Sequence, residues 1–176
     1  ELEDRVTNLD EFLEQLNLKI KIKSADKFSI PRISQLTLKT NQFNLTTKRY
    51  QEEEIKNLIE SEKIEIVYAQ VEDKFGDNGI TSVYILNKIN PQEWYLDTFL
   101  LSCRIMGREI EKCIMQHIIS KAKKNGVKKF IYMSTAHVYG SPLCGEIDET
   151  MPTYPAHHYS ITHKVSEDYV LLKDSD

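Results

Sequence analysis

Apolar residues recur at Val6, Leu9, Phe12, Leu13 and Leu16, the spacing of one helical face over residues 3–16. Residues 19–23 then alternate lysine with Ile20 and Ile22, which predicts a strand at a sheet edge. Beyond Pro31, the positions Ile33, Leu36 and Leu38 mark a short helix. Thr46 or Thr47 is placed to cap a second helix through Ile59, with Glu52, Glu53 and Glu54 in its first turn, where negative charge suits the helix dipole. Strands are predicted over residues 64–71, 80–86 and 95–101. Asp77-Asn78-Gly79 joins the first two as an antiparallel hairpin. A helix over 108–124 carries Ile110, Cys113, Ile114, His117, Ile118 and Ala122 on one stripe, and Asn125-Gly126 supplies its stop. Residues 127–133 are predicted to form a further short apolar strand. An irregular stretch holding Pro142, Pro152 and Pro155 leads to a last helix over 159–172.

This succession predicts an α/β fold in which a mixed, mostly antiparallel sheet is flanked by helices. With 176 residues the chain is one domain or one domain with an appendage. A net charge of −4 gives no electrostatic reason to expect nucleic acid. The lysines at 19, 21 and 23 and at 121, 123 and 124 read as solvated faces. No apolar run approaches the ~20 residues that cross a bilayer, so no membrane partner is expected. Cys103, Cys113 and Cys144 lack disulfide or metal spacing, which fits a reducing cytoplasm and no metal centre. The first residue is not methionine, as expected of a truncated or fused protein. Nothing in the composition sets an oligomeric state.

Three blocks carry a resemblance: residues 39–50 (KTNQFNLTTKRY), 75–79 (FGDNG) and 97–107 (DTFLLSCRIMG). Over residues 5–128 the chain resembles the carboxyl-terminal GNAT-like region of FkbH-like proteins. That resemblance implies a GNAT-like acyltransferase-type module over residues 1–127. It also implies a pantetheine thiol, on coenzyme A or the phosphopantetheine arm of an acyl carrier protein, as the acyl carrier. Family members carry a phosphatase-like HAD domain ahead of this region. Here no Asp-x-Asp motif ends a hydrophobic strand, so no phosphatase activity is expected and a HAD-type protein becomes a possible partner.

The chemistry of this module centres on the passage from strand to helix. Arg104, Gly107 and Arg108 stand where backbone N–H groups and a helix N-terminus meet a phosphate, or where the chain merely turns. Glu109 occupies the place of a second small residue and sets a carboxylate against a diphosphate. Cys103, beside Arg104 and ahead of a helix, is either a thiolate nucleophile that takes up an acyl group or a small buried hydrophobe. Asn41, Gln42 and Asn44 either bind an acyl or pantetheine amide or cap and turn the backbone. His117 reads as a core histidine.

From Gly126 the text changes. Residues 127–140 (VKKFIYMSTAHVYG) and 159–164 (YSITHK) are similar to extended short-chain dehydrogenase/reductases, the NAD-dependent epimerase/dehydratase family of nucleotide sugars. The resemblance implies that residues 128–176 are a Rossmann-derived strand–loop–helix segment. It assigns Thr135 as the substrate-holding hydroxyl and Tyr159 as acid/base. His163 stands four residues on, where the family has lysine, and Lys164 is about 100° round the helix. No glycine-rich dinucleotide turn follows a first strand, so NAD(P) binding and oxidoreductase activity are not expected. The expected function is therefore acyl-group handling on a pantetheine carrier. The alternatives are a fragment of a nucleotide-sugar epimerase/dehydratase and a non-catalytic, partner-binding remnant.

Overall fold

Alternation along the central strands decides which side of the sheet each helix covers. A computed structural model describes residues 9–41, 43–44, 46–129 and 131–173; Val6 and Gln42 lie outside them. The chain forms two compact units, Glu1–Lys128 and Lys129–Asp176.

In the first unit, β1 (Lys19–Ser24), β2 (Ile64–Asp73), β3 (Gly76–Asn90) and β4 (Glu93–Leu101) pair in that order, antiparallel throughout. Ile66, Tyr68, Val83, Ile85 and Leu100 bury one face under Ile33, Leu36 and Ile55. These three belong to the helices α2 (Ile30–Lys39) and α3 (Glu52–Ile59). The intervening residues Val67, Ala69, Val71, Tyr84, Phe99 and Leu101 bury the opposite face. Ile110, Ile114 and Ile118 of α4 (Ile110–Lys124) cover it. This is a helix–sheet–helix sandwich built by a period of two in the strands against 3.6 in the helices. A shorter α1 (Leu9–Leu16) ends in the buried Leu16.

Several local expectations change. The β2–β3 hairpin turns at Lys74-Phe75 rather than at Asp77-Asn78-Gly79, and the latter residues lie inside β3 beside register shifts at Gln70. Asp73 drives this: its carboxylate accepts from the Phe75 N–H at 2.8 Å and from the Asn78 amide at 3.0 Å, closing the tighter loop. Gly79, at φ +70°, forms the bulge. Thr46 and Thr47 do not cap α3. Gln51 does, in reciprocal bonds with Glu54, while the Thr46 hydroxyl donates to the Asp97 carbonyl at 2.8 Å. His117 is exposed rather than in the core, its ring 6.3 Å from Tyr84.

In the second unit the strand expected over 127–133 does not form. A lone apolar strand needs a neighbour for its N–H and C=O groups, and no ladder partner exists among the described residues. Ile131 and Met133 stand 70% and 81% exposed. The expected final helix does form, as α5 (His158–Lys173). His157 and Ser160 close its first turn reciprocally: the Ser160 hydroxyl accepts from His157 N–H, and Ser160 N–H donates to the His157 ring nitrogen.

Candidate functional site

A cavity of about 360 Å³ opens between the carboxyl-terminal half of α2 and the segment that follows β4. Its floor follows from one buried side chain. After Leu101, Ser102 donates its N–H to the Thr81 carbonyl at 2.7 Å, holding the chain against β3. A single 3-10 turn, Cys103–Ile105, then drives Ile105 fully into the core. With Ile105 inward, Cys103 and Arg104 are left exposed, and both line the cavity. The reading of Cys103 as a buried hydrophobe therefore fails. The thiol also does not adjoin α4, which begins at Ile110 with Glu109 as its N-terminal cap.

The opposite wall comes from α2 and the loop after it. Arg32, Gln35 and Lys39 present a polar stripe at i, i+3 and i+7 beside Leu36, and Asn41 adds its amide. Arg32 Nε donates to the Ile80 carbonyl at 3.2 Å, and its guanidinium also donates to the Gln35 amide oxygen. Burial, and then the positive charge of Arg104, hold Arg32 below its ordinary basicity.

The loop over residues 40–50 is laced down from both sides. Arg49 donates to the carbonyls of Thr37, at 2.8 Å, and Leu38, and to the Asn41 amide oxygen. The Tyr50 hydroxyl donates to Asp97 at 2.6 Å, and Lys48 pairs with the same carboxylate. Burial would raise the Asp97 carboxyl, but bonds from Lys48, Tyr50 and Thr98 outweigh it and hold it below its ordinary value. Burial and the Asp97 carboxylate together push the Tyr50 phenol well up.

The site residues expected from sequence thus divide. Asn41, Cys103 and Arg104 meet in the cavity. Asn44 spends its amide on the loop, donating to the Thr40 carbonyl at 3.2 Å and accepting from Thr47 N–H at 3.1 Å. Arg108 is turned to Asp73 at 2.7 Å, in a pair whose carboxylate side chain is 4% exposed. Gly107, at φ +75°, supplies the left-handed turn, but the Glu109 carboxylate pairs with Lys112 beside it. The cavity wall carries cations of its own in Arg32, Lys39 and Arg104. Arg32 and Lys39 were not named from sequence; the i, i+3, i+7 polar stripe on α2 was the available signal.

In the second unit, the Tyr159 and His163 rings lie 4.4 Å apart one turn along α5. The His163 Nδ1 is hydrogen-bonded to the Tyr132 hydroxyl at 3.0 Å. Lys164 pairs with Asp168. The Thr135 hydroxyl accepts from His137 N–H at 3.3 Å and so caps the 3-10 turn Ala136–Tyr139. The Ser134 hydroxyl oxygen is buried without a hydrogen-bond partner among the described residues. Among the described residues no group of three or more His, Cys, Asp or Glu side chains is arranged to hold a metal, and no helix is long and apolar enough to cross a membrane.

Residues 109–172 match the model of the NAD dependent epimerase/dehydratase family. The match thus begins at α4, within the first compact unit, and runs through α5. A dTDP-D-glucose 4,6-dehydratase from Mus musculus is 40% identical over 53 residues, which are 30% of this chain and 15% of that protein. The Homo sapiens dTDP-D-glucose 4,6-dehydratase matches to the same extent. The chain therefore spans about 15% of the length of these curated relatives. Among solved structures it overlaps the ribosomal-protein-S18-alanine N-acetyltransferase of Escherichia coli. That overlap has 14% identity and a TM-score of 0.48, covering 62% of this chain and 63% of that one. It also overlaps an aminoglycoside 6'-N-acetyltransferase of Acinetobacter baumannii, at 10% identity and a TM-score of 0.49, covering 67% and 81%. At these scores the overlaps carry no functional inference.

Proposed function

We propose that this chain handles acyl groups carried on a pantetheine thiol, of coenzyme A or an acyl carrier protein, with Cys103 as the acceptor. The reading rests on one observation: Asn41 on the loop after α2 and Cys103-Arg104 after β4, distant in sequence, line the same cavity. In the reaction the Cys103 sulfur attacks the thioester carbonyl and a new carbon–sulfur bond forms. The pantetheine sulfur leaves and takes the proton that Cys103 gives up. One thioester is exchanged for another, so no oxidant or further reactant is needed. Arg104 brings positive charge to the same cavity, and Asn41 offers an amide to the acyl or pantetheine chain. The FkbH-like assignment, a HAD-type or carrier-protein partner and a biosynthetic setting belong to this proposal. So does a cytoplasmic location, which three exposed free cysteines suit.

Incubation with acetyl-coenzyme A or an acylated carrier protein, followed by intact mass spectrometry, tests it. The expected result is a hydroxylamine-labile acyl adduct on wild type that is absent from C103S. An adduct of equal yield on C103S, or none on wild type, sinks the reading. Cys113 and Cys144 are exposed, as Cys103 is, so iodoacetamide rates compare the surroundings of the three thiols. Cys103 is expected to alkylate fastest.

The match over residues 109–172 favours a second reading, a piece of a nucleotide-sugar epimerase/dehydratase with Thr135, Tyr159 and His163 as remnants of its site. A thermal-shift response to NAD supports it.

A further inference from the structure

The cavity walls carry three cations, Arg32, Lys39 and Arg104, and no carboxylate. Among the described residues none of the three forms an ion pair, in a chain whose net charge is −4. Arg32 is half-buried and held only by neutral acceptors, the Ile80 carbonyl and the Gln35 amide. Arg104, whose charge acts on Arg32, has an exposed side chain that forms no ion pair among the described residues. Arg32 and Arg104 thus set like charges in the walls of one recess. A multiply charged anion stabilises two such charges together, meeting the Arg104 fork and the Arg32 donors that Ile80 and Gln35 leave over.

We propose that Arg32 and Arg104, with Lys39, form a subsite for a phosphoryl or diphosphoryl ester within the cavity that contains Cys103. At about 360 Å³ the cavity has room for a phosphoryl group and the chain attached to it. The subsite rests on the acyl-handling reading only for the identity of what the ester carries. Two sources share this chemistry: the diphosphate of coenzyme A or of a carrier arm, and a small phosphorylated acyl substrate. Anion charge is recognised here by side chains of α2 and the 3-10 turn, and the Gly107–Glu109 turn is spared a role for which its carboxylate is ill suited.

Titration calorimetry with inorganic phosphate, pyrophosphate, coenzyme A and phosphate-free pantetheine tests this on wild type, C103S and R104Q. Pyrophosphate is expected to bind wild type and C103S alike and R104Q about tenfold or more weakly, and pantetheine is expected to bind more weakly than coenzyme A and equally in all three. R104Q, relieved of like-charge repulsion, is expected to melt at or above the wild-type temperature in the absence of anion. R32K, which keeps the charge and loses the planar fork, is expected to weaken pyrophosphate as well. Coenzyme A binding that R104Q weakens assigns the subsite to the carrier's diphosphate. Phosphate binding with coenzyme A excluded assigns it to a small phosphorylated substrate. No binding of any anion, or equal affinity in R104Q, overturns the proposal. Arg104-dependent pyrophosphate binding without an acyl adduct on Cys103 would leave the subsite standing and remove the acyl-transfer reading alone.

Discussion

Asp97 joins the two sequence blocks that line the cavity, and its titration is where they answer to pH. Its carboxylate receives Lys48, the Tyr50 hydroxyl at 2.6 Å and the Thr98 hydroxyl at 3.0 Å. Burial opposes the charge and these bonds outweigh it, so the folded carboxyl titrates below its ordinary value of 3.8. A carboxyl lowered in this way contributes stability that is fully present above its unfolded value and is lost as pH falls through the folded one. D97N is expected to cost about 1–3 kcal/mol near neutrality. The gap to wild type should narrow as pH is lowered below about 4. Glu65 and Asp73 are lowered in the same direction. The difference between urea midpoints of wild type and D97N therefore isolates Asp97, whereas the wild-type slope alone does not. A gap that stays constant from neutral to acid pH would show that Asp97 contributes through packing rather than charge.

At the scale of elements, the β2–β3 hairpin separates a side chain that organises a turn from a glycine that permits one. Asp73 accepts from Phe75 N–H, Asn78 and Arg108, so D73A leaves the Arg108 charge without its partner and is expected to cost about 3 kcal/mol. Gly79 at φ +70° has open space where a Cβ would stand, so G79A carries only backbone strain, about 1–2 kcal/mol. Urea unfolding that ranks G79A as the worse of the two would show that the bulge, not Asp73, sets the hairpin. On the far face, I114A should cost about 2–5 kcal/mol, because α4 closes the core through Ile110, Ile114 and Ile118. The strands themselves were legible in the sequence, since their alternation is a local property that packing reinforces. The turn was not, because Asn-Gly is a strong local signal that lost to the Asp73 carboxylate five residues before Asn78. The site was legible in the same measure. Cys103, Arg104 and Asn41 announced themselves by residue type and neighbours. Arg32 and Lys39 face the cavity only because α2 packs beside the end of β4, a relation no local pattern encodes.

The whole molecule divides its stability unevenly. Glu1–Lys128 holds both core clusters, whereas in Lys129–Asp176 only Val138 and Ser160 are buried among the described residues. A unit of this size buries too little apolar surface to offset its own chain entropy by much. Its sequence is specific, down to the Tyr159–His163 pair and the Tyr132 bond to His163, yet its apolar Ile131 and Met133 stand open to water. Residues 127–133 keep an apolar strand pattern with no ladder partner among the described residues, which is why the pattern predicted a strand that did not form. Amide hydrogen exchange should therefore find β2, β3 and β4 protected about a thousandfold or more over residues 141–150. Comparable protection in both units would mean that the second buries surface its own contacts do not show. The same measurement with NAD present tests the oxidoreductase reading at its most exposed point. If these residues still bound the dinucleotide, exchange around 131–140 and 157–163 would slow on its addition. Exchange left unchanged by NAD, with the first unit slowed by pyrophosphate, would assign the surviving chemistry to the cavity between α2 and β4.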